Sequence, residues 1–127
     1  SNFKLEQVRL LCAQAAVKPR FVQNRCYASR GWDRDIRAFC TQEGIRYQGF
    51  SLLTANRALV NHAMVKDIAA RHGKTPAQTV FRFALDVGMI ALTGTTDAAH
   101  MAQDLDVFNF TLTPAEIRVL EGAGTAR

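Results

Sequence analysis

The stretch RYQGFSLLTAN, residues 46–56, predicts a short buried strand that runs directly into a loop of small and polar residues. Tyr47 and Phe50 are apolar positions of this strand, and Gly49 allows a neighbouring group to come close. The strand ends in Phe50 and Ser51, a flat ring beside a hydroxyl, although a core strand needs only aliphatic side chains. The pair therefore suggests that the strand tip faces a flat, partly polar molecule.

Helical and strand-like segments alternate on both sides of this stretch. Apolar residues at three- and four-residue spacing predict helices over 4–16, 32–44, 59–71, 75–88, 96–105 and from 113 onward. Further strands are expected at 20–23 and 89–93, on either side of the central one at 45–51. Thr75 to Gln78 and Thr113 to Glu116 each predict a capping box with proline in the first turn, and Gly44 predicts a left-handed C-terminal cap.

This alternation indicates the α/β class. Strands that are almost continuously apolar and are separated by helices pair in parallel, with right-handed crossovers. The length of 127 residues predicts a single domain over residues 1–127. With only three strands, the sheet has two free edges and a partly uncovered face, so the chain is expected to pair with a copy of itself or another partner, or to be part of something larger.

Composition excludes several classes of protein. The chain is 48% hydrophobic and 21% charged, which excludes a disordered segment, and no apolar run approaches the roughly 20 residues of a spanning helix. A soluble, cytoplasmic protein without membrane partners is expected. The three cysteines and three histidines are scattered and form no C-x-x-C pair, so neither a disulfide framework nor a metal site is predicted.

The net charge of +5 raises the question of nucleic acid. The basic residues extend from Lys4 to Arg127 without forming a run, and they alternate with acids, as in residues 33–37. A solvated surface with salt bridges is therefore the preferred interpretation, and no nucleic-acid partner is expected.

Five motifs, in order along the chain, resemble the aldo-keto reductase family. Ser1-Asn2-Phe3 is similar to the S-N-F that ends the fifth strand of that family's (β/α)8 barrel, and residues 19–23 are similar to its sixth strand. Residues 49–53 resemble its seventh strand, usually Y-S-P-L. HGKTPAQ at 72–78 and VFNFTL at 107–112 are close to H-G-K-[ST]-P-A-Q and V-F-D-F-x-L. The resemblance implies the C-terminal half of a TIM barrel, from strand five to the last helix.

The resemblance also implies a site for the nicotinamide half of NADPH at the strand ends, where barrel enzymes bind their ligands. Ser1, Asn2 and Gln23 occupy positions whose side chains would hydrogen-bond the carboxamide. Phe50 stands where the family commonly has a tyrosine that stacks on the nicotinamide ring. Ser51 and Leu53 would lie beside the pyrophosphate.

The implied adenosine end departs from the family pattern. Many relatives carry a lysine at the position of Gly94 and an arginine at that of His100, and these grip the 2′-phosphate of NADPH. The positions implied to contact this end are Gly94, Thr95, His100, Gln103 and Asp104. Gly94 opens a turn whose backbone N–H groups suit an anion, and the hydroxyls of Thr95 and Thr96 or the side chain of Arg57 could replace the missing charges. The cofactor, NADP or NAD, stays open.

No catalytic residue is assigned. The family's tyrosine, lysine, aspartate and histidine belong to the half of the barrel that precedes S-N-F, and neither Tyr27 nor Tyr47 matches the catalytic motif. The chain is thus interpreted as the cofactor-facing half of an NAD(P)H-dependent oxidoreductase, which would reduce aldehydes or ketones only with a complementary N-terminal half. The alternative is a non-catalytic half-barrel that self-associates through its strand edges.

Overall fold

Three short parallel strands form one sheet in the order β1-β2-β3, and helices connect them along the chain. The computed structural model describes residues 1–125. Its strands are β1 (Phe21–Arg25), β2 (Arg46–Phe50) and β3 (Ile90–Ala91). Its helices are α1 (Leu5–Gln14), α2 (Arg34–Glu43), α3 (Arg57–Val60), α4 (Ala63–Arg71), α5 (Pro76–Asp86), α6 (Ala98–Leu105) and α7 (Pro114–Ala123). The parallel α/β arrangement predicted from the sequence is confirmed.

Alternation along the strands gives the sheet two different faces. In β1, Val22 and Asn24 are buried, whereas the alternate residues Phe21, Gln23 and Arg25 are exposed. The register places Gln23 beside Gln48 and Arg25 beside Phe50, so side chains of the same face stand next to each other. We call the exposed face the open face; its members on β1 and β2 are Phe21, Gln23, Arg25, Arg46, Gln48 and Phe50. Val22 and Tyr47, on the opposite face, belong to the hydrophobic core.

Trp32 lies at the centre of this core, but not on α2 as the periodicity predicts. It sits in a 3-10 turn, Ala28–Asp33, where Gly31, Trp32 and Asp33 all have left-handed backbone angles. The turn points the indole inward, and its N–H donates to the carbonyl of Leu120 at 3.0 Å. The end of α7 is thereby fixed against the segment that follows β1.

The helix caps follow their local sequence signals. Thr75 and Gln78 form a complete capping box at the start of α5, and Thr113 and Glu116 form another at the start of α7. Gly44 ends α2 with a φ of 70°, the left-handed cap that the sequence predicts. These devices depend on residues within one turn of each other, which is why the sequence predicts them well.

Several boundaries differ from the sequence expectation. The helix predicted over 59–71 is two helices, because His62 takes an extended conformation and its ring accepts a hydrogen bond from Met64 N–H, which starts α4. The strand predicted over 89–93 pairs only at Ile90 and Ala91. The helix predicted from Thr96 begins at Ala98, because the Asp97 carboxylate caps it.

The two flanks of the sheet carry exposed apolar side chains. Leu10 on α1 is 57% exposed, and Leu105 on α6 is 70% exposed. Within the described residues, α6 contributes no buried side chain at all. Helices that flank a sheet normally bury one face, so both flanks have room for a further layer. Within residues 1–125, no helix combines the length and the apolar character that crossing a bilayer requires.

Candidate functional site

The carboxyl ends of β1 and β2 bring two of the predicted site residues to the same face. Phe50 is the last residue of β2, stands beside Arg25 in the register and is partly exposed. Gln23 lies two residues before Arg25 and therefore points to the same side of the sheet as Phe50. The strand continues beyond Gln23 to Arg25, two residues farther than the sequence predicts.

The segment that precedes α1 lies along the edge of β1 and places Asn2 beside Gln23. Asn2 N–H donates to the Gln23 carbonyl at 2.9 Å, and Asn2 Oδ1 accepts from Arg25 N–H at 2.9 Å. The Asn24 side chain holds Phe3, the residue after Asn2. Its Oδ1 accepts from Phe3 N–H, and its Nδ2 donates to Phe3 O. Asn2 has a left-handed φ of 56°, which asparagine tolerates better than most residues.

The amide atoms that remain free at this point have complementary polarity. The Oδ1 of Asn2 is already used, and its Nδ2 has no hydrogen-bond partner among residues 1–125. Gln23 Nε2 donates to Gln48 Oε1 at 3.0 Å, and Gln23 Oε1 has no donor among those residues. One free donor and one free acceptor are what a primary carboxamide requires. Ser1, the third residue predicted here, is exposed and contributes no hydrogen bond in the described structure.

A polar network behind the sheet holds these strand ends in place. Asp33 Oδ2 accepts from the Tyr47 hydroxyl at 2.7 Å and from Asn24 Nδ2 at 3.0 Å. Burial raises the pKa of Tyr47 well above its ordinary value, and the neighbouring Cys26 and Asp33 add to this shift. Tyr47 is therefore a protonated hydrogen-bond donor on the core side of the sheet, away from the open face.

A cleft separates the tips of β2 and β3. It encloses about 390 Å³ and follows Ser51, whose φ of 54° turns the chain sharply at the end of β2. Four predicted residues line it: Phe50, Ser51, Leu53 and Gly94. The lining residues that the sequence did not reveal are Leu52, Thr54, Phe81, Leu92 and Thr93. Alternation along the strand could have indicated that Leu92 lies near the cleft. It follows Ile90 by two residues, and Ile90 pairs with Gln48 on the open face.

The remaining predicted residues stand apart from this cleft. Thr95, His100, Gln103 and Asp104 lie in and before α6 and are not among the residues that line it. The start of α6 is already capped, since Asp97 Oδ1 accepts from His100 N–H at 3.0 Å and Thr95 Oγ1 accepts from Asp97 N–H at 3.1 Å. The bond from the His100 amide holds the pKa of Asp97 below its ordinary value, so a carboxylate occupies the turn in which the sequence predicts an anion site.

Known structures share this fold across almost the whole chain. An aldo-keto reductase from a Medee basin deep-sea metagenome library superimposes with a TM-score of 0.89 at 20% identity, covering 99% of this chain and 47% of its own. A mutant of Gox0644 in complex with NADPH gives a TM-score of 0.85 at 27% identity, covering 99% of this chain and 45% of that one. The three strands thus correspond to part of a TIM barrel.

Sequence comparison leads to the same family. "Probable NAD(P)H-dependent D-xylose reductase xyl1" of Emericella nidulans is 29% identical, covering 94% of this chain and 41% of that protein. "(1S)-1,7-diacetoxy-luvungin A aldo-keto reductase" of Citrus sinensis is 30% identical, covering 95% of this chain and 40% of that protein. The chain spans about two fifths of the length of these curated relatives. The model of the "Aldo/keto reductase family" matches residues 56–124, more than half of the chain. The chain therefore belongs to the aldo/keto reductase family.

Proposed function

We propose that this chain is the nicotinamide-facing part of a cytoplasmic NAD(P)H-dependent oxidoreductase that reduces aldehydes or ketones once a complementary N-terminal half is present. The observation that carries the proposal is the pair of free amide atoms, Asn2 Nδ2 and Gln23 Oε1, on two residues that a backbone hydrogen bond joins, with the Phe50 ring on the face that Gln23 shares. The NAD(P)H-dependence named for the Emericella nidulans relative and the NADPH bound to the Gox0644 mutant support it.

In this proposal the residues of the chain bind and orient the cofactor. Asn2 Nδ2 donates to the carboxamide oxygen and Gln23 Oε1 accepts from the carboxamide nitrogen, so that the ring can present only one face. Phe50 stacks on the ring, and Ser51 and Leu53 border the pyrophosphate along the cleft. When bound, the nicotinamide supplies the hydride. Hydride transfer also needs a carbonyl and a proton donor held in register, and we expect the donor to come from the N-terminal half.

The adenosine end favours NADH in this proposal. Gly94 and His100 offer no fixed positive charge to a 2′-phosphate, and the carboxylate of Asp97 caps the nearby helix start. A carboxylate accepts hydrogen bonds from ribose hydroxyls but repels a phosphate. Thr95, Thr96 and Arg57 can offer hydrogen bonds, and Gln103 and Asp104 are proposed to contact adenine.

Cofactor binding tests the first part of the proposal. Isothermal titration of the chain with NADH and NADPH, up to millimolar concentrations, is expected to give saturable binding. Phe50→Leu should weaken it about three- to tenfold, because it removes an aromatic stacking partner. Phe21→Leu is the matched control, since Phe21 is an exposed aromatic on the same face at the opposite end of β1. Equal losses in the two variants, or no heat with either cofactor, would refute the proposed site.

Complementation tests the second part. The chain is mixed with the N-terminal half of a family relative, and the consumption of NADH or NADPH is followed with a model aldehyde. We expect the chain alone to be inactive and the mixture to turn over. A mixture without activity, in which the two halves are shown to associate, would contradict the assignment as a reductase half.

A second candidate is a non-catalytic half-barrel that pairs with its own copy. The exposed flanks favour it, because Leu10 and Leu105 are exposed there, α1 and its start carry Lys4 and Arg9 beside a single acid, Glu6, and α6 and its start carry Asp97 and Asp104. These charges suit a contact between the α1 flank of one copy and the α6 flank of another. Analytical ultracentrifugation should then show a dimer that Leu105→Lys dissociates and Val119→Lys, on α7, does not. A compact monomer at micromolar concentration excludes this candidate.

A further inference from the structure

A second and larger cavity lies on the other side of Asn2. It encloses about 1140 Å³ between the N-terminal segment, the tip of β1, the turn Ala28–Asp33 and the end of α7. It shares no lining residue with the cleft at the tips of β2 and β3. Asn2 and Arg25 belong to its wall, whereas Gln23 does not. It is slightly larger than the roughly 300–1,000 Å³ of most small-molecule sites, so a small ligand would occupy one part of it.

Tyr27 and two arginines form one end of this cavity. The Tyr27 carbonyl accepts from both Arg30 N–H, at 3.1 Å, and Trp32 N–H, at 3.0 Å, which folds the chain back over the Tyr27 side chain. The Arg30 guanidinium thereby lies 4.6 Å from the centre of the Tyr27 ring. The Arg25 guanidinium lies 5.6 Å from the same centre, and Asn2 holds the Arg25 backbone. Backbone hydrogen bonds at Tyr27 and Arg25 thus hold both guanidiniums close to the same ring.

This end of the cavity is positively charged. Neither Arg25 nor Arg30 forms an ion pair with a carboxylate of residues 1–125. The carboxylates that line the cavity are engaged or lie at its helical walls: Asp33 binds Tyr47 and Asn24, Glu121 binds Arg37, and Glu6 and Asp35 sit in the first turns of α1 and α2. Both guanidiniums lie within 5.6 Å of the centre of one ring, so an anion bound against that ring lies within about a Debye length, roughly 8–10 Å, of both.

We propose that the Tyr27, Arg25 and Arg30 end of this cavity binds small molecules that carry a planar carboxylate. A guanidinium presents its N–H groups in a flat fork that matches a carboxylate, and it stacks on aromatic faces. A planar ligand satisfies both preferences at once. In so far as the proposed function holds, on which this second step rests, the substrates are carbonyl compounds that bear a carboxylate, because Asn2, which is proposed to bind the carboxamide, lies in the cavity wall.

Benzoate and its neutral isostere benzamide provide the test. Both are titrated into the isotopically labelled chain, without cofactor, and backbone amide shifts are followed by NMR. Benzoate should shift the amides of Arg25, Tyr27, Arg30 and Gly31 and bind about tenfold more tightly than benzamide, because only benzoate gains charge-assisted hydrogen bonds. Arg25→Gln and Arg30→Gln should each weaken benzoate about three- to tenfold and leave benzamide unchanged. Arg46→Gln, which removes an exposed arginine from the other end of the same open face, is the matched control.

Several outcomes overturn the proposal. They are equal affinity for benzoate and benzamide, shifts confined to other parts of the chain, a loss in Arg46→Gln as large as in Arg30→Gln, or no binding of benzoate. The result is separable from the proposed function, because cofactor binding is read at Phe50 and Thr93 in a parallel titration. Benzoate binding without cofactor binding would contradict the proposed function and support the anion site. Cofactor binding without benzoate binding would support the proposed function and contradict the anion site.

Discussion

The two strand pairs of the small sheet, β1–β2 and β2–β3, are held together very differently. Between β1 and β2, five residue pairs stand in register, and the buried polar side chains Asn24 and Asn56 are fully engaged in hydrogen bonds. Between β2 and β3 only two pairs form, and α6 beyond β3 buries no side chain within the described residues. Regions with few buried contacts open most readily. We therefore expect the β1–β2 side to be the more stable of the two and the β3–α6 side to form the more adaptable wall of the cleft.

The largest expected effect comes from Asn56, which closes the β1–β2 side. Its Nδ2 donates to Cys26 O and Leu52 O, and its Oδ1 accepts from Ala28 N–H at 2.7 Å. Asn56→Ala leaves three buried backbone groups without a hydrogen-bond partner. It should lower the free energy of unfolding by about 3–5 kcal/mol. Chemical denaturation measures the loss, and absence of a cooperative transition would be the extreme form of the same result.

Asn109 is the matched asparagine at the far side. It follows α6, is exposed, and donates only to Asp106 at 2.6 Å. Asn109→Ala should change the free energy of unfolding by no more than about 0.5 kcal/mol. If the two variants cost the same, the contrast between the two sides of the sheet does not hold.

Alkaline pH provides the next largest effect, again through the β1–β2 side. Burial raises the pKa of Cys26, directly after β1, from 9.0 to about 11, and likewise raises the pKa of Cys40 on α2 to about 11. A raised pKa in the folded state means that stability is complete below pH 9 and declines as pH rises through 11. The Cys26 thiol lowers the free energy of unfolding by up to about 1.4 kcal/mol per pH unit in that window, and the Cys40 thiol acts in the same direction.

Denaturation midpoints at pH 7.5, 9, 10 and 11 measure this decline. The double variant Cys26→Ala, Cys40→Ala should be less stable at pH 7.5, because it leaves small cavities. Its stability should nevertheless fall less steeply above pH 9 than that of the unchanged chain. An unchanged slope would mean that other groups control the alkaline response.

The contrast also explains what the sequence could and could not reveal. The caps at Thr75 and Thr113 and the cap at Gly44 were predicted because each depends on a few adjacent residues. Gly49 was expected to allow a close approach, and a Cβ there would lie 3.1 Å from Met89 Sδ. The network around Asp33 was not predicted, because it depends on three left-handed residues and on the strand register, which no local pattern specifies.

The candidate site was predicted only in part for the same reason. Phe50, Ser51, Leu53 and Gly94 line one cleft, and their roles toward a cofactor stay predictions. The cavity near Tyr27 was missed, because it depends on the turn that returns Arg30 to the Tyr27 ring. The alternation in β1 could have indicated that Arg25 shares the face of Gln23, but not what it faces.

A smaller effect is expected from the two tyrosines. Tyr47→Phe removes the hydroxyl that donates to Asp33 at 2.7 Å and should cost about 1–2 kcal/mol of unfolding free energy. Tyr27→Phe is the control, because the Tyr27 hydroxyl has no hydrogen-bond partner among residues 1–125, and its cost should be close to zero. Thermal unfolding of both variants decides the matter. A Tyr47→Phe variant as stable as Tyr27→Phe would show that the network behind the sheet is not a source of stability.

The smallest expected effect on folding, with a clear effect on binding, lies at Gly94 on the β3–α6 side. A Cβ at Gly94 meets no heavy atom within 4 Å, so Gly94→Lys should leave the free energy of unfolding within about 0.5 kcal/mol. The new cation should strengthen NADPH relative to NADH about five- to tenfold, by pairing with the 2′-phosphate. The affinity ratio is measured by titration of both cofactors.

Gly122→Lys separates a local pairing from a general gain of charge. Gly122 also has open space at its Cβ, but it lies on α7. If the ratio of NADPH to NADH affinity changes only in Gly94→Lys, the adenosine end lies beside β3. Equal changes in both variants would contradict that placement. A marked loss of stability in Gly94→Lys would instead mean that this side is packed as tightly as the β1–β2 side. The change in unfolding free energy of Gly94→Lys thus tests the same contrast in packing, between the β3–α6 side and the β1–β2 side, that Asn56→Ala and Asn109→Ala test by removing a side chain.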